Sequence, residues 1–211
     1  MSFYNIGNTI HQYFDKSVVT DETIHLLNQY LLLLCKWNKK INLIGKSTIK
    51  DLYVRHIVDS LQLHSFIPKN SVIIDVGTGA GFPGLILGLL NNYKVMLVEK
   101  VEKKCIFLDY VIAELGIKNI TVHNSNIESI DLECDYIVSR AVTNISNFIS
   151  ITSSIKFEYM LMLKSKSVQK EIENAMIQKQ ILKTEYDLFD GISDTNSIIF
   201  KLVKKKINHD R

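Results

Sequence analysis

Apolar residues along this chain recur with two different periods, and the change falls near Pro68. Before it the spacing is helical. In DETIHLLNQYLLLLCKWNKKINL, the residues Ile24, Leu27, Leu31, Leu34 and Cys35 share one face of a helix that begins near Asp21. Thr20 or Asp21 is placed to cap it. A second helical stretch, STIKDLYVRHIVDSLQLHSF, covers 47–66, with Ser47 or Thr48 near its start and Pro68 beyond its end. After Pro68, short apolar β-rich runs alternate with helical ones. VIIDV (72–76), KVMLVE (94–99), NITVH (119–123), DYIVS (135–139) and YMLML (159–163) read as strands. Helical patterns fall near 83–91, 101–115, 142–154 and 167–180, and Gly116 sits where a helix C′ residue belongs. Continuous apolar strands separated by helices imply a parallel sheet covered on both faces. TEYDLF and SIIFKLV, joined by the polar DGISDTN, add two strands whose pairing is expected to be antiparallel. The predicted architecture is α/β: a seven-stranded, mostly parallel sheet at 68–211, with an N-terminal helical extension at 1–67 packed on it.

Composition narrows this picture little. The 211 residues are 46% apolar and 22% charged, as for a globular domain with an appendage. A net charge of +3 does not select a nucleic-acid partner on its own. The basic run at Lys204, Lys205 and Lys206 reads as a solvated tail. Cys35, Cys105 and Cys134 form no Cys-x-x-Cys pair, and the histidines at 11, 25, 64, 123 and 209 have no metal-ligand spacing. No zinc or other metal is expected, and the thiols are expected to be reduced. The opening MSFYNIGNTIHQYF lacks a basic segment leading into an apolar one, and LLNQYLLLLC is too short to span a bilayer. A cytoplasmic monomer without membrane contact is the expectation.

Candidate chemistry concentrates in VIIDVGTGAGFPG, where the first parallel strand meets a glycine-rich turn. Ligands of open parallel sheets bind at the carboxyl ends of the strands. Gly79 to Gly84 matches the dinucleotide pattern Gly-x-Gly-x-x-Gly, but in that pattern the first glycine follows directly from the strand. That position is Gly77, and from Gly77 the pattern fails at Phe82. The frame that fits is Asp75-x-Gly77-x-Gly79-x-Gly81. An acid ahead of the glycines repels a pyrophosphate, whereas it suits a cofactor with an ammonium and a sulfonium, such as S-adenosylmethionine. The alternative role for Asp75 is to cap the helix after the turn. Pro83 suits the first turn of that helix. Glu99 ends the second strand, where an acid can take both hydroxyls of a ribose.

With these residues in place, the chain resembles a known family. DVGTGAGFPG is similar to the first motif of class I S-adenosylmethionine-dependent methyltransferases, which have a Rossmann-like fold. Its Phe-Pro-Gly ending resembles the bacterial small-subunit rRNA guanine-N7 methyltransferases, the glucose-inhibited division B family. WNKKINL and RHIVDSL, EKVEKKCIFL, VSRAV and LKS resemble further segments of that family, in order, over roughly residues 20 to 165. The resemblance implies S-adenosylmethionine as cofactor and 16S rRNA of the small subunit as partner. It implies cofactor contacts at Gly77 and Phe82, an adenine-flanking pair at Ile127 and Glu128, and a cofactor-site arginine at Arg140. Two positions depart from the family pattern: Asn126 stands where arginine is frequent, and Ser165 where glycine follows the lysine.

Guanine N7 carries an in-plane lone pair and no proton, so its methylation needs no general base. Catalysis then rests on holding N7 and the methyl group in line. Arg140 or Lys164 is expected to hydrogen-bond guanine O6, with Phe82 or another ring packed on the base. Arg55, Lys103, Lys104 and Lys164 are the leading RNA contacts, with Lys39, Lys40, Lys46, Lys166 and the 204–206 run as further phosphate candidates. Trp37 is expected to pin the N-terminal helices to the sheet domain, near the glycine turn. His56 reads either as a site group or as a structural partner of Asp59, three residues on. Two competing functions stay open: a nucleotide-dependent oxidoreductase, and a non-enzymatic ribosome-binding factor.

Overall fold

The chain forms a seven-stranded sheet with helices on both faces, seen here in a computed structural model that describes residues 6–45, 53–140, 142–183, 185–193 and 196–204. The strands are β1 (Val72–Val76), β2 (Lys94–Glu99), β3 (Ile120–Asn124), β4 (Tyr136–Arg140), β5 (Tyr159–Ser165), β6 (Tyr186–Asp190) and β7 (Ser197–Val203). Their order is β3-β2-β1-β4-β5-β7-β6. β1 to β5 pair in parallel, and β7 runs antiparallel to both β5 and β6. Only β7 is therefore reversed. The chain winds outward from β1 to β3, then returns to β4 on the other side of β1. That reversal opens a crevice at the carboxyl ends of β1 and β4.

Side-chain alternation divides the core in two. Ile73, Leu97, Val138 and Leu161 point to one face, and Ile74, Val98, Ile137 and Met160 to the other. The first face is covered by α4 (Gly84–Gly88), α5 (Glu102–Glu114) and the N-terminal helices, the second by α6 (Ile145–Ile151) and α7 (Val168–Ile177). The N-terminal helices α1 (Ile6–Ile10) and α2 (Asp21–Asn38) share one apolar cluster with the sheet. Thr20 is the cap of α2, its hydroxyl accepting from the Thr23 N–H at 3.2 Å. Leu27, Leu31 and Leu34 are fully buried on the face that periodicity assigned. Trp37 packs against Phe107 and Tyr110 of α5, with ring centroids 5.7 and 5.4 Å apart. It pins α2 to the sheet domain, as its position suggested.

Several elements differ from expectation. α1 carries too few residues for a periodic signal. The stretch expected as one helix over 47–66 is irregular where described: a π turn at Tyr53–Val58, α3 at Asp59–Leu61, and a 3₁₀ turn at Gln62–Phe66. The Ser60 hydroxyl donates to the His56 carbonyl at 2.5 Å, a local bond that competes with the helical ladder there. Ser47 and Thr48, Lys46, and Lys205 with Lys206 lie outside the described residues. α6 starts later than expected because Asn144 caps it, accepting from the Asn147 N–H at 2.9 Å.

Candidate active site

The turn after β1 is built on Asp75. Its side chain is fully buried, and Oδ2 accepts from the Thr78 hydroxyl at 2.6 Å and the Gly84 N–H at 2.7 Å. One carboxylate oxygen thus closes the turn and caps α4. Gly84 permits this approach, since a Cβ there would lie 2.5 Å from the Asp75 Cβ. The direct charge pairing expected of Asp75 is therefore corrected to the capping alternative: the carboxylate lies beneath the turn, not in the crevice. Burial raises its pKa to about 7, against the lowering effect of its two donors and with Glu99 adding to the rise.

Gly77, Gly79 and Gly81 have φ of 69°, 61° and 106°, a region side chains disfavour. At Gly77 a Cβ would also stand 2.6 Å from Val142 Cγ2. Glu99, at the tip of β2, ties the turn down: Oε2 accepts from the Gly79 N–H at 3.1 Å and Oε1 from the Val101 N–H at 2.9 Å. Lys104 Nζ lies 3.8 Å from Glu99 Oε2. Gly77, Glu99, Lys104, Ile127 and Arg140 line a single cavity of about 350 Å³, with Val98, Val101 and Val142 as apolar wall. Ile127 is buried in the 3₁₀ turn after β3, while Glu128 beside it is exposed and accepts from Asn126 Nδ2 at 3.0 Å. An uncharged amide donor thus stands where an arginine would make an ion pair.

A second cavity, of about 330 Å³, adjoins the first at Arg140 and is also lined by Arg55, Asp59, Thr143, Lys164, Glu171 and Ser197. Arg140 ends β4, and its Nη1 lies 2.8 Å from His56 Nδ1. Burial lowers the Arg140 pKa, which the Asp59 carboxylate opposes. His56 is pushed down to about 3, first by burial and then by the Arg140 and Arg55 charges, so its ring is neutral. Its partner is Arg140, 84 residues away, not Asp59 as the helical spacing suggested. Asp59 instead accepts from Gln62, Ser193 and Ser197, which ties the N-terminal helical segment to the β6–β7 hairpin.

Two expected roles are corrected by burial. Phe82 is only 6% exposed, held edge-on to Tyr30 at 5.9 Å and against His56 at 4.7 Å. Its ring is a support under His56 and is not a platform for a base. Lys164 Nζ lies 2.6 Å from Glu171 Oε2 and donates to the Thr143 carbonyl at 2.7 Å, with its side chain 7% exposed. It is no open phosphate contact. Glu171 Oε2 also accepts from the Ile145 N–H at 3.0 Å. Lys164 and Glu171 together anchor the loop after β4, and nothing local in the sequence marked Glu171 for this. Of the four leading basic candidates, Arg55 and Lys103 are exposed; Arg55 lines the second cavity, and Lys103 lines neither of the two. Lys204 sits at the opposite end of the sheet, over the Phe157 ring at 4.4 Å. Among the described residues no cluster of metal-ligating side chains occurs, and no helix is long and apolar enough to cross a membrane.

Residues 23–198 match the family model GidB, described as rRNA small subunit methyltransferase G. The ribosomal RNA small subunit methyltransferase G of Orientia tsutsugamushi (strain Ikeda) is 35% identical over 187 residues, 87% of this chain and 92% of that protein. Its counterpart in Rickettsia prowazekii (strain Madrid E) is 40% identical over 159 residues, 74% of this chain and 83% of that one. Among solved structures, the ribosomal protein L11 methylase of Lactobacillus delbrueckii subsp. bulgaricus superposes with a TM-score of 0.56 at 16% identity, covering 70% of this chain and 77% of that chain. A SAM-dependent methyltransferase from Aquifex aeolicus gives 0.52 at 20% identity, covering 75% and 97%. At such identities these two likenesses speak for the fold alone.

Proposed function

Since this chain belongs to the GidB family of rRNA small subunit methyltransferases, we propose that it transfers a methyl group from S-adenosylmethionine to N7 of a guanine in 16S rRNA of the small ribosomal subunit. One observation carries the reading: two cavities of about 350 and 330 Å³ lie side by side at the carboxyl ends of the strands and share Arg140. One suits a nucleoside cofactor and the other a single extruded base.

The residues of the first cavity fit S-adenosylmethionine. Gly77 offers backbone without a Cβ where the ligand must pass close. The Glu99 oxygens already take backbone N–H groups, and their remaining lone pairs can accept the two ribose hydroxyls. Ile127 and Val98 supply apolar walls for the adenine ring. When bound, the cofactor supplies an electrophilic methyl group on a sulfonium. The glycine turn and Glu99 orient it. Arg140, at the junction, hydrogen-bonds guanine O6 and steadies charge on the base without needing to accept a proton. Lys164 holds the loop after β4 through the Thr143 carbonyl, keeping one wall of the base cavity in place. Residues 1–67 act as an extension that shapes the RNA-facing side, with Arg55 as the phosphate contact nearest the base cavity. No general base is required, which agrees with an arginine at the end of β4.

The test is incubation with methyl-labelled S-adenosylmethionine and small subunits from cells lacking this enzyme, alongside naked rRNA and large subunits. Label in 7-methylguanosine from 16S rRNA is the expected result. Label in another nucleoside would sink the N7 assignment, and no label in any RNA would sink the reading altogether.

A further inference from the structure

We propose that His56 is the positioning residue for Arg140, presenting Nδ1 as the acceptor that aims the guanidinium into the junction of the two cavities. The proposal rests on the methyl-transfer reading above.

Arg140 Nη1 lies 2.8 Å from His56 Nδ1. A guanidinium only donates, so Nδ1 must be the accepting nitrogen and the ring proton must reside on Nε2. A protonated ring would set two donors against each other. Burial and the neighbouring guanidinium charges prevent that by keeping the ring neutral. The ring itself is immobilised from below. Phe82 lies 4.7 Å from it, Tyr30 lies 5.9 Å from Phe82, and the Tyr30 hydroxyl donates to the Ala80 carbonyl at 2.7 Å. A continuous chain of contacts thus runs from the glycine turn through Phe82 and His56 to Arg140. The group that shapes the cofactor turn also sets the direction of the arginine. With one Nη1 donor held, the remaining donors of Arg140 stay available to the cavities it lines.

Packing alone does not explain a histidine here. Among the described residues His56 Nε2 is buried without a hydrogen-bond partner, which costs stability that Phe or Leu would not incur. What the imidazole offers that an apolar ring lacks is the Nδ1 lone pair, and that lone pair is the one Arg140 uses.

Two substitutions separate the roles. His56→Phe keeps the ring on Phe82 and removes the acceptor. His56→Asn loses the ring but places an amide oxygen near the Nδ1 position. Transfer to small subunits is measured at saturating cofactor and RNA, with adenosylhomocysteine binding by calorimetry as the control for an intact turn. We expect His56→Phe to lower kcat by about tenfold or more, with KM changed far less, because misdirection of a reacting group costs rate rather than binding. His56→Asn should recover most of that loss. In an Arg140→Ala background His56→Phe should have no further effect, since the two act as one unit. Effects that multiply in the double variant, or a wild-type kcat in His56→Phe, would overturn the proposal. Nitrogen-15 NMR of labelled histidine reads the pairing without any substrate: His56 should show a hydrogen-bonded, unprotonated Nδ1 at neutral pH that changes in Arg140→Ala. If the wild-type protein methylates no RNA, the functional reading fails and with it the effect on rate. A protonated Nδ1 in the NMR experiment defeats the pairing itself.

Discussion

Replacing Asp75 by asparagine tests whether the turn is held by a buried acid that resists ionisation. Asp75 is fully buried, one oxygen accepts from Thr78 and Gly84, and the other has no partner among the described residues. Asparagine can accept the same two hydrogen bonds through its amide oxygen while bearing no charge. The rise in pKa from 3.8 to about 7 is a differential cost of about 4 kcal/mol for the ionised folded state. A folded-state pKa above the unfolded one means the native protein binds more protons between those values. The contribution of Asp75 is thus fully present below about pH 4 and is lost as pH rises through about 7. The unfolding free energy of Asp75→Asn minus that of wild type should climb by roughly 1.4 kcal/mol per pH unit across that window and level off above it. Urea unfolding of both proteins at pH 4.5, 6, 7 and 8, in parallel buffers, supplies the measurement (pH values chosen to span about 4 to 8). A difference that does not change with pH would refute the reasoning, because the carboxylate would then ionise as readily in the fold as in the unfolded chain.

Further outcomes are expected from the other supports of the site. Gly77→Ala places a Cβ 2.6 Å from Val142 Cγ2 at a φ of 69° and should weaken adenosylhomocysteine binding at least about tenfold in calorimetry, with the protein still folded by circular dichroism. Tyr30→Phe removes the donor to the Ala80 carbonyl and should cost about 1–3 kcal/mol in denaturant unfolding. Glu171→Gln removes the charge that holds Lys164 and should lower kcat on small subunits several-fold, about 1 kcal/mol of barrier, while leaving cofactor affinity unchanged. An unchanged kcat there would mean that the loop after β4 needs no anchor.

Local pattern and tertiary partnership determined different parts of this protein. The five parallel strands were legible because each is a short apolar run whose neighbours are helical, the last two because a polar loop joins them, and the parallel core followed from burial on both faces. The glycine turn and Glu99 were legible because positive φ demands glycine and a strand-tip acid has few places to go. The cap of α2 at Thr20 is likewise written within three residues. What the pattern could not carry is the direction of each polar side chain and the identity of partners distant in the chain. Asp75 faces inward to Gly84, and Phe82 turns into the core under His56. Lys164 is claimed by Glu171 on α7, and His56 meets Arg140 across 84 residues. Periodicity records which positions are buried. It does not record which buried donor meets which acceptor, because that pairing exists only after the N-terminal helices dock on the sheet and β4, β5 and α7 come together at one end of it.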